Sequence, residues 1–170
     1  DIAGVERIRF GSLEPGIITE SFVQRLAGIK EICPHFHLSL QSGCDETLKR
    51  MNRRYNTEEY LESVENLRAA FEHPAITTDV IVGFAGETEE EFEETLSLIE
   101  QVRYDSLFTF IFSPRVGTPA AKMEDPTPKA EKNRRFDRLC AVQNAISEEI
   151  HDAYVGKTMR CLVDGEDKDL

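Results

Sequence analysis

A carboxylate in the middle of an apolar strand is the first residue to account for. Asp79 interrupts Ile76-Thr-Thr-Asp-Val-Ile-Val82, a β-branched run of the kind that forms a strand buried on both faces. An unpaired carboxylate in such a place costs on the order of several kcal/mol. Asp79 must therefore pair with backbone or an arginine, or serve a ligand. Gly83 and Gly86 break the run, and Thr88 with Glu91 three residues on reads as a capping box opening a helix. The turn of such a βα unit lies at the carboxyl end of its strand, where parallel α/β folds place their ligands. Polar groups follow the other predicted strands as well: Glu14 after the first, Gln41 and Ser42 after the second, Ser113 and Arg115 after the fourth. Together on one rim they predict a cleft for a polar small molecule. Gly43, Gly83, Gly86 and Gly117 would let backbone approach that ligand closely. Other chemistry is not indicated. There is no nucleophile–base pair, no Walker loop and no G-x-G-x-x-G. Cys33, Cys44, Cys140 and Cys161 lack C-x-x-C spacing, so neither a disulfide framework nor a metal site is expected from them.

The elements that must position these groups follow from periodicity. Val5 to Phe10 and His35 to Leu40 alternate and predict strands, with Gly11 to Gly16 and Gln41-Ser42-Gly43 ending them. A helix is expected over Thr19–Lys30, a short one capped by Asp45, and a longer one capped by Asn56 or Thr57 with Tyr60, Leu61, Val64, Leu67 and Phe71 on one stripe. The helix after Gly86 should bury Phe92, Leu96, Ile99 and Val102. Ser106–Phe112 is a fourth strand, Lys129–Tyr154 a long amphipathic helix, and Thr158–Val163 a last strand. The βα unit thus occurs four times, which predicts an α/β fold with a parallel sheet. Four units are too few to close an eight-stranded barrel, so a partial, open barrel is expected, cut from a longer protein at both ends.

At 170 residues with a formal net charge of −12, the chain suits one domain with a real core and is a poor general binder of nucleic acid on its own. Its acidic residues concentrate from Glu87 to Glu100 and are expected to be a solvated helix face, whereas Arg50, Arg53 and Arg54 form a compact basic knot. No 18-residue apolar run and no signal peptide occur, so a soluble, cytoplasmic protein without a membrane partner is expected.

Four linked stretches carry a resemblance. His37-Leu-Ser-Leu-Gln41-Ser-Gly43, Met51-x-Arg53-x-Tyr55, Thr77-Thr-Asp79-Val-Ile-Val-Gly83-Phe-x-Gly86-Glu87-Thr88 and Ser113-x-Arg115-x-Gly117-Thr118-x-Ala120-Ala121 occur in order over nearly the whole chain. This set resembles the radical S-adenosylmethionine tRNA methylthiotransferases. The resemblance implies that residues 1–154 are the last four βα units of a radical-type (β/α) barrel, and that 155–170 begin a tRNA-binding carboxyl-terminal β-barrel. It implies S-adenosylmethionine as cofactor, with Glu14 and Asp79 at its polar end or ribose, Gln41 at the ribose, Arg53 on its carboxylate, backbone near Phe112 and Ser113 at the adenine, and Ser42 among the cofactor-binding residues. It also implies [4Fe-4S] clusters in the parent protein, on a Cys-x3-Cys-x2-Cys run and a further cysteine set that this chain lacks. No catalytic or metal residue is assigned to the chain itself, and the chain alone is expected to show no turnover.

The resemblance divides over substrate. Ser12-Leu13-Glu14-Pro15, Cys33-Pro34-His35 and Gly43-Cys44-Asp45 are similar to the branch acting on threonylcarbamoyladenosine, the favoured expectation. Phe108-Thr109-Phe110 and Ser113-Pro114-Arg115 are similar to the branch acting on isopentenyladenosine. Ala85 stands where the family has proline. The rival expectations are another radical enzyme, such as a coproporphyrinogen oxidase relative, and a non-catalytic α/β ligand-binding module. The predicted strand at Thr158–Val163 speaks against the oxidase. An exposed edge strand at Val5–Phe10 predicts self-association.

Overall fold

A computed structural model of the protein describes residues 2–163 and 165. Four strands, β1 (Ser12–Leu13), β2 (His35–Leu38), β3 (Ala75–Val82) and β4 (Ser106–Ile111), form one sheet in the order β1-β2-β3-β4. Every pair is parallel. Between and after them run α1 (Glu20–Ala27), α2 (Asp45–Arg50), α3 (Thr57–Ala70), α4 (Glu89–Val102) and α5 (Lys129–Asp152). This is the open βα architecture that the periodicity predicts.

The two faces of the sheet differ. Phe36, Leu38, Ile76, Val80 and Val82 are fully buried and pack with the stripes Tyr60, Val64, Leu67 and Phe92, Leu96, Ile99, Val102 of α3 and α4. The alternate residues, His37, Asp79, Phe108 and Phe110 among them, face the concave side and line a cavity to which, among the described residues, no helix contributes. Both predicted capping boxes form: Asn56 with Glu59 opens α3, and Thr88 with Glu91 opens α4. Asp45 does not cap α2. It is the first residue of that helix, and its carboxylate accepts instead from the Thr57 amide at 2.7 Å, tying α2 to the start of α3.

Four expectations are corrected. Val5–Phe10 is not a strand; the first ladder lies further on at Ser12–Leu13, and only Ile8 bridges, to Ile32. The sheet edge there is thus two residues long, which removes the extended edge from which self-association was argued. Thr158–Val163 has no ladder partner among the described residues and is exposed and irregular, since a strand exists only by pairing. Residues 164 and 166–170 of the expected second domain lie outside the described residues. The acidic helix face is not free surface: Arg134 and Arg138 of α5 pair with Glu89 and Glu93, and Arg50 of α2 grips Glu91 with two bonds of 2.7 and 2.6 Å. Finally, Gly43 serves packing rather than ligand approach. A Cβ there would lie 2.7 Å from Thr95 Cα and 3.0 Å from Leu98 Cβ. Because the nearest atom is backbone, Gly43→Ala should cost about 1–3 kcal/mol, read as a lower urea midpoint. A loss under a few tenths would mean that α4 slides freely.

Candidate functional site

The carboxyl ends of β2 and β3 are shaped by a detour. After Leu38 the ladder is carried by the Thr78 side chain, whose hydroxyl donates to Leu38 O and accepts from the Leu40 amide at 2.9 Å. Pairing resumes where the Gln41 amide donates to Asp79 O at 2.8 Å and the Ile81 amide to Gln41 O at 2.9 Å. Gln41 reaches that register only with φ 73°, a left-handed conformation that is strained for a side-chain-bearing residue. Tyr55 supports the detour from below, its hydroxyl donating to Ser39 O and Leu40 O at 2.7 and 2.9 Å. Burial pushes that phenol up to about 12, so it stays a donor.

Beside this detour lies a cavity of about 610 Å³, lined by Gln41, Asp79, Ile81, Phe110, Phe112, Ser113 and Arg115 together with Phe84, Thr118 and Ala120. Its size suits a nucleoside-sized ligand. Its walls are aromatic and aliphatic on β4 and polar on the β2 and β3 side. Asp79 is not a sealed core group: its side chain is 30% exposed and its Oδ2 lies 3.3 Å from His37 Nε2. His37 Nδ1 in turn lies 3.0 Å from Thr77 Oγ1. Among the described residues neither backbone nor arginine meets this carboxylate; a histidine on the adjacent strand β2 does.

The other predicted residues divide. Glu14 and Arg53 meet at the rim, 3.7 Å apart, with Glu14 more exposed than Arg53. Ser113 borders the cavity. Ser42 does not: it is fully buried, its hydroxyl 3.3 Å from Thr95 Oγ1 and accepting from the Cys44 amide at 3.3 Å. It secures the turn against α4 and has no face toward the cleft. Gly83, at φ 66°, is equally occupied, since a Cβ would lie 2.6 Å from Lys132 Cγ. Among the residues not expected at the site from the sequence are His37, Ile81 and Phe110, although His37 and Phe110 lie in the family-like stretches. Strict alternation along the strands, which places them on Asp79's face, was the signal available.

The β3–α4 turn is held from α5. Glu87 is buried, accepts from the Gly83 amide at 2.7 Å, and receives Arg135 Nη1 on Oε2 at 3.1 Å and on its carbonyl at 2.9 Å. Burial pushes the Glu87 carboxyl above its ordinary value, against the pull of these donors. Lys132 pairs with Asp125 and lies over the Phe112 ring at 5.2 Å, and Phe112 meets Phe84 edge-on at 4.8 Å. The cavity's floor and its turn thus share one support.

Residues 3–99 match the family described as the Radical SAM superfamily. The chain belongs to that superfamily. Members use S-adenosylmethionine with a [4Fe-4S] cluster. The chain is similar to proteins named tRNA-2-methylthio-N(6)-dimethylallyladenosine synthase from Clostridium botulinum (47% identity, 99% of this chain and 37% of the relative), Acetivibrio thermocellus (45%, 98% and 35%) and Symbiobacterium thermophilum (50%, 97% and 35%). It therefore spans little more than a third of the length of these relatives. Coproporphyrinogen III oxidase from Escherichia coli, a radical SAM enzyme, shares the fold at a TM-score of 0.69 and 17% identity, over 82% of this chain and 32% of that one. The rim fits S-adenosylmethionine: apolar walls for a ring, polar groups beside them, and an adjacent cation and anion for an amino-acid end. A cluster is a different matter. Among the described residues no three His, Cys, Asp or Glu side chains gather as metal ligands, and no cluster is assigned to them.

Proposed function

We propose that the intact protein adds a methylthio group to C2 of N6-dimethylallyladenosine in tRNA, and that this chain supplies the cradle for S-adenosylmethionine. The observation that carries the reading is the near end-to-end similarity, at 45–50% identity, to synthases of that name. It replaces the threonylcarbamoyl expectation, whose cues were short loop matches. When bound, S-adenosylmethionine with an iron–sulfur cluster of the intact protein would supply the radical chemistry that abstracts hydrogen.

The chain's own residues bind and orient. Arg53 presents a planar fork that suits the cofactor's carboxylate, and Glu14 beside it suits the ammonium. Gln41 and Asp79, which line the cavity, would hold the ribose, and the backbone at Phe112 and Ser113 would hold the adenine. Ser42 is left out, because its hydroxyl is committed elsewhere. Residues 155–163, exposed and without a ladder here, suit a segment that pairs within a tRNA-binding barrel.

Mass spectrometry of tRNA nucleosides tests the reading. Cells lacking the gene should lose 2-methylthio-N6-dimethylallyladenosine and accumulate N6-dimethylallyladenosine. Persistence of the methylthio nucleoside refutes the proposal, and loss of a methylthio threonylcarbamoyl nucleoside in its place restores the other branch.

A further inference from the structure

Two phenylalanines on β4 are unlike the other apolar side chains of the sheet. Phe108 and Phe110 are each 53% exposed although they sit within a strand. Their neighbours Leu107 and Ile111 join the core on the helix side, so alternation sends both rings to the concave face. Phe110 lines the rim cavity and also a second cavity of about 620 Å³ that continues down the same face, and Phe108 lines only the second. The rim site therefore opens along an aromatic wall.

What stands beside that wall decides what it suits. In the sheet register Asp79 pairs with Phe108 and Ile81 with Phe110. The layer nearest the rim is thus isoleucine beside phenylalanine; the next is a carboxylate beside phenylalanine, with the His37 ring 5.7 Å from that of Phe108. The one cation lining the lower cavity, Arg9, is held at the far end of β2 by His35, 3.2 Å from its Nε. An anionic group entering past Phe110 would meet the Asp79 carboxylate with no lysine or arginine among the described residues of its layer. An alkyl group would meet two rings, and an N–H beside it would meet an acceptor.

We propose that Phe108 and Phe110 form the wall that receives the apolar N6 substituent of the substrate adenine, and that Asp79 in the adjoining position turns away a carboxylate-bearing one. The proposal rests on the function proposed above and names the residues that would set its choice of substituent.

The test uses the intact protein with its clusters reconstituted and two tRNAs that differ only in an N6-dimethylallyl group. The readout is the ratio of their dissociation constants, with S-adenosylmethionine affinity measured alongside. Phe108→Ala should cut the preference for the dimethylallyl tRNA by about tenfold, since even one methylene in an apolar pocket is worth that much. Phe108→Leu, which keeps apolar bulk, should retain most of it. Cofactor affinity should hold in both, because Phe108 does not line the rim cavity. Should Phe108→Ala fail to fold, Phe108→Thr, compatible with a strand, reads the same loss. An unchanged ratio overturns the proposal, as does equal weakening toward both tRNAs, which would make Phe108 a packing residue. A wild-type protein that leaves dimethylallyl tRNA unmodified refutes the function itself, a result separable from the other two.

Discussion

Replacing Arg135 by methionine should destabilise the fold by about 3–5 kcal/mol at neutral pH, the range for removing one partner of a buried ion pair. Arg135 and Glu87 expose 6% and 1% of their side chains, so methionine fills the space yet leaves the Glu87 carboxylate with the Gly83 amide as its donor. Glu89 and Glu131, which also face Arg135, stand near the surface and keep Arg134. The pH dependence identifies the cause. Burial already raises the Glu87 carboxyl above the ordinary 4.5, and without Arg135 it rises further. A group raised in the folded state favours the fold while protonated and loses that contribution as pH climbs through its folded value. The deficit of the variant should therefore be deepest near neutrality and shrink toward pH 5. Urea unfolding of both proteins at the two pH values measures it. A deficit below about 1 kcal/mol at neutral pH, or one that grows in acid, would show that Glu87 does not depend on this arginine.

Asp79→Asn in the intact protein should lower S-adenosylmethionine affinity tenfold or more with little change in stability. The stability half follows from the geometry. The carboxylate is part-exposed and among the described residues its side-chain partner is His37, which can still bond to an amide of the same shape. A partly exposed ion pair is worth about 1 kcal/mol or less. The binding half follows from charge, because a hydrogen bond to a carboxylate is worth about 1.5–3 kcal/mol, or one to two decades of affinity. Calorimetry with the cofactor, beside a thermal melt, separates the two. Full affinity with a lowered melting temperature would return Asp79 to a structural role.

The positions of these groups were legible to different degrees. The run Ile76–Val82 with its glycine turn and capping box predicts β3 and α4 almost to the residue, because each signal acts within one turn of chain. The first strand was misplaced for the converse reason. Alternation at Val5–Phe10 describes which side chains could share a face, but pairing is set by where β2 presents its ladder, opposite Ser12 and Leu13. The acidic helix was misread because its partners lie roughly 45 residues away, in arginines that look like surface when α5 is considered alone. Ser42 shows the limit most plainly. Its place after a strand was right, but the left-handed Gln41 before it turns the chain, and the hydroxyl goes to Thr95.

The rim is braced by side chains of Lys132 and Arg135, at the amino end of the last helix, about 48 residues beyond the turn that they fix. Synthesis releases the chain from its amino end at about 5–20 residues per second. The β3–α4 turn is therefore made several seconds before its clamp exists, and Glu87 waits in an unfinished interior with a hydrated carboxylate. Local contacts can form the strand, the cap and the helix early, whereas the binding surface is completed only when α5 docks. Within this chain secondary structure can form early, and the walls of the rim cavity are set when α5 closes on the β3–α4 turn.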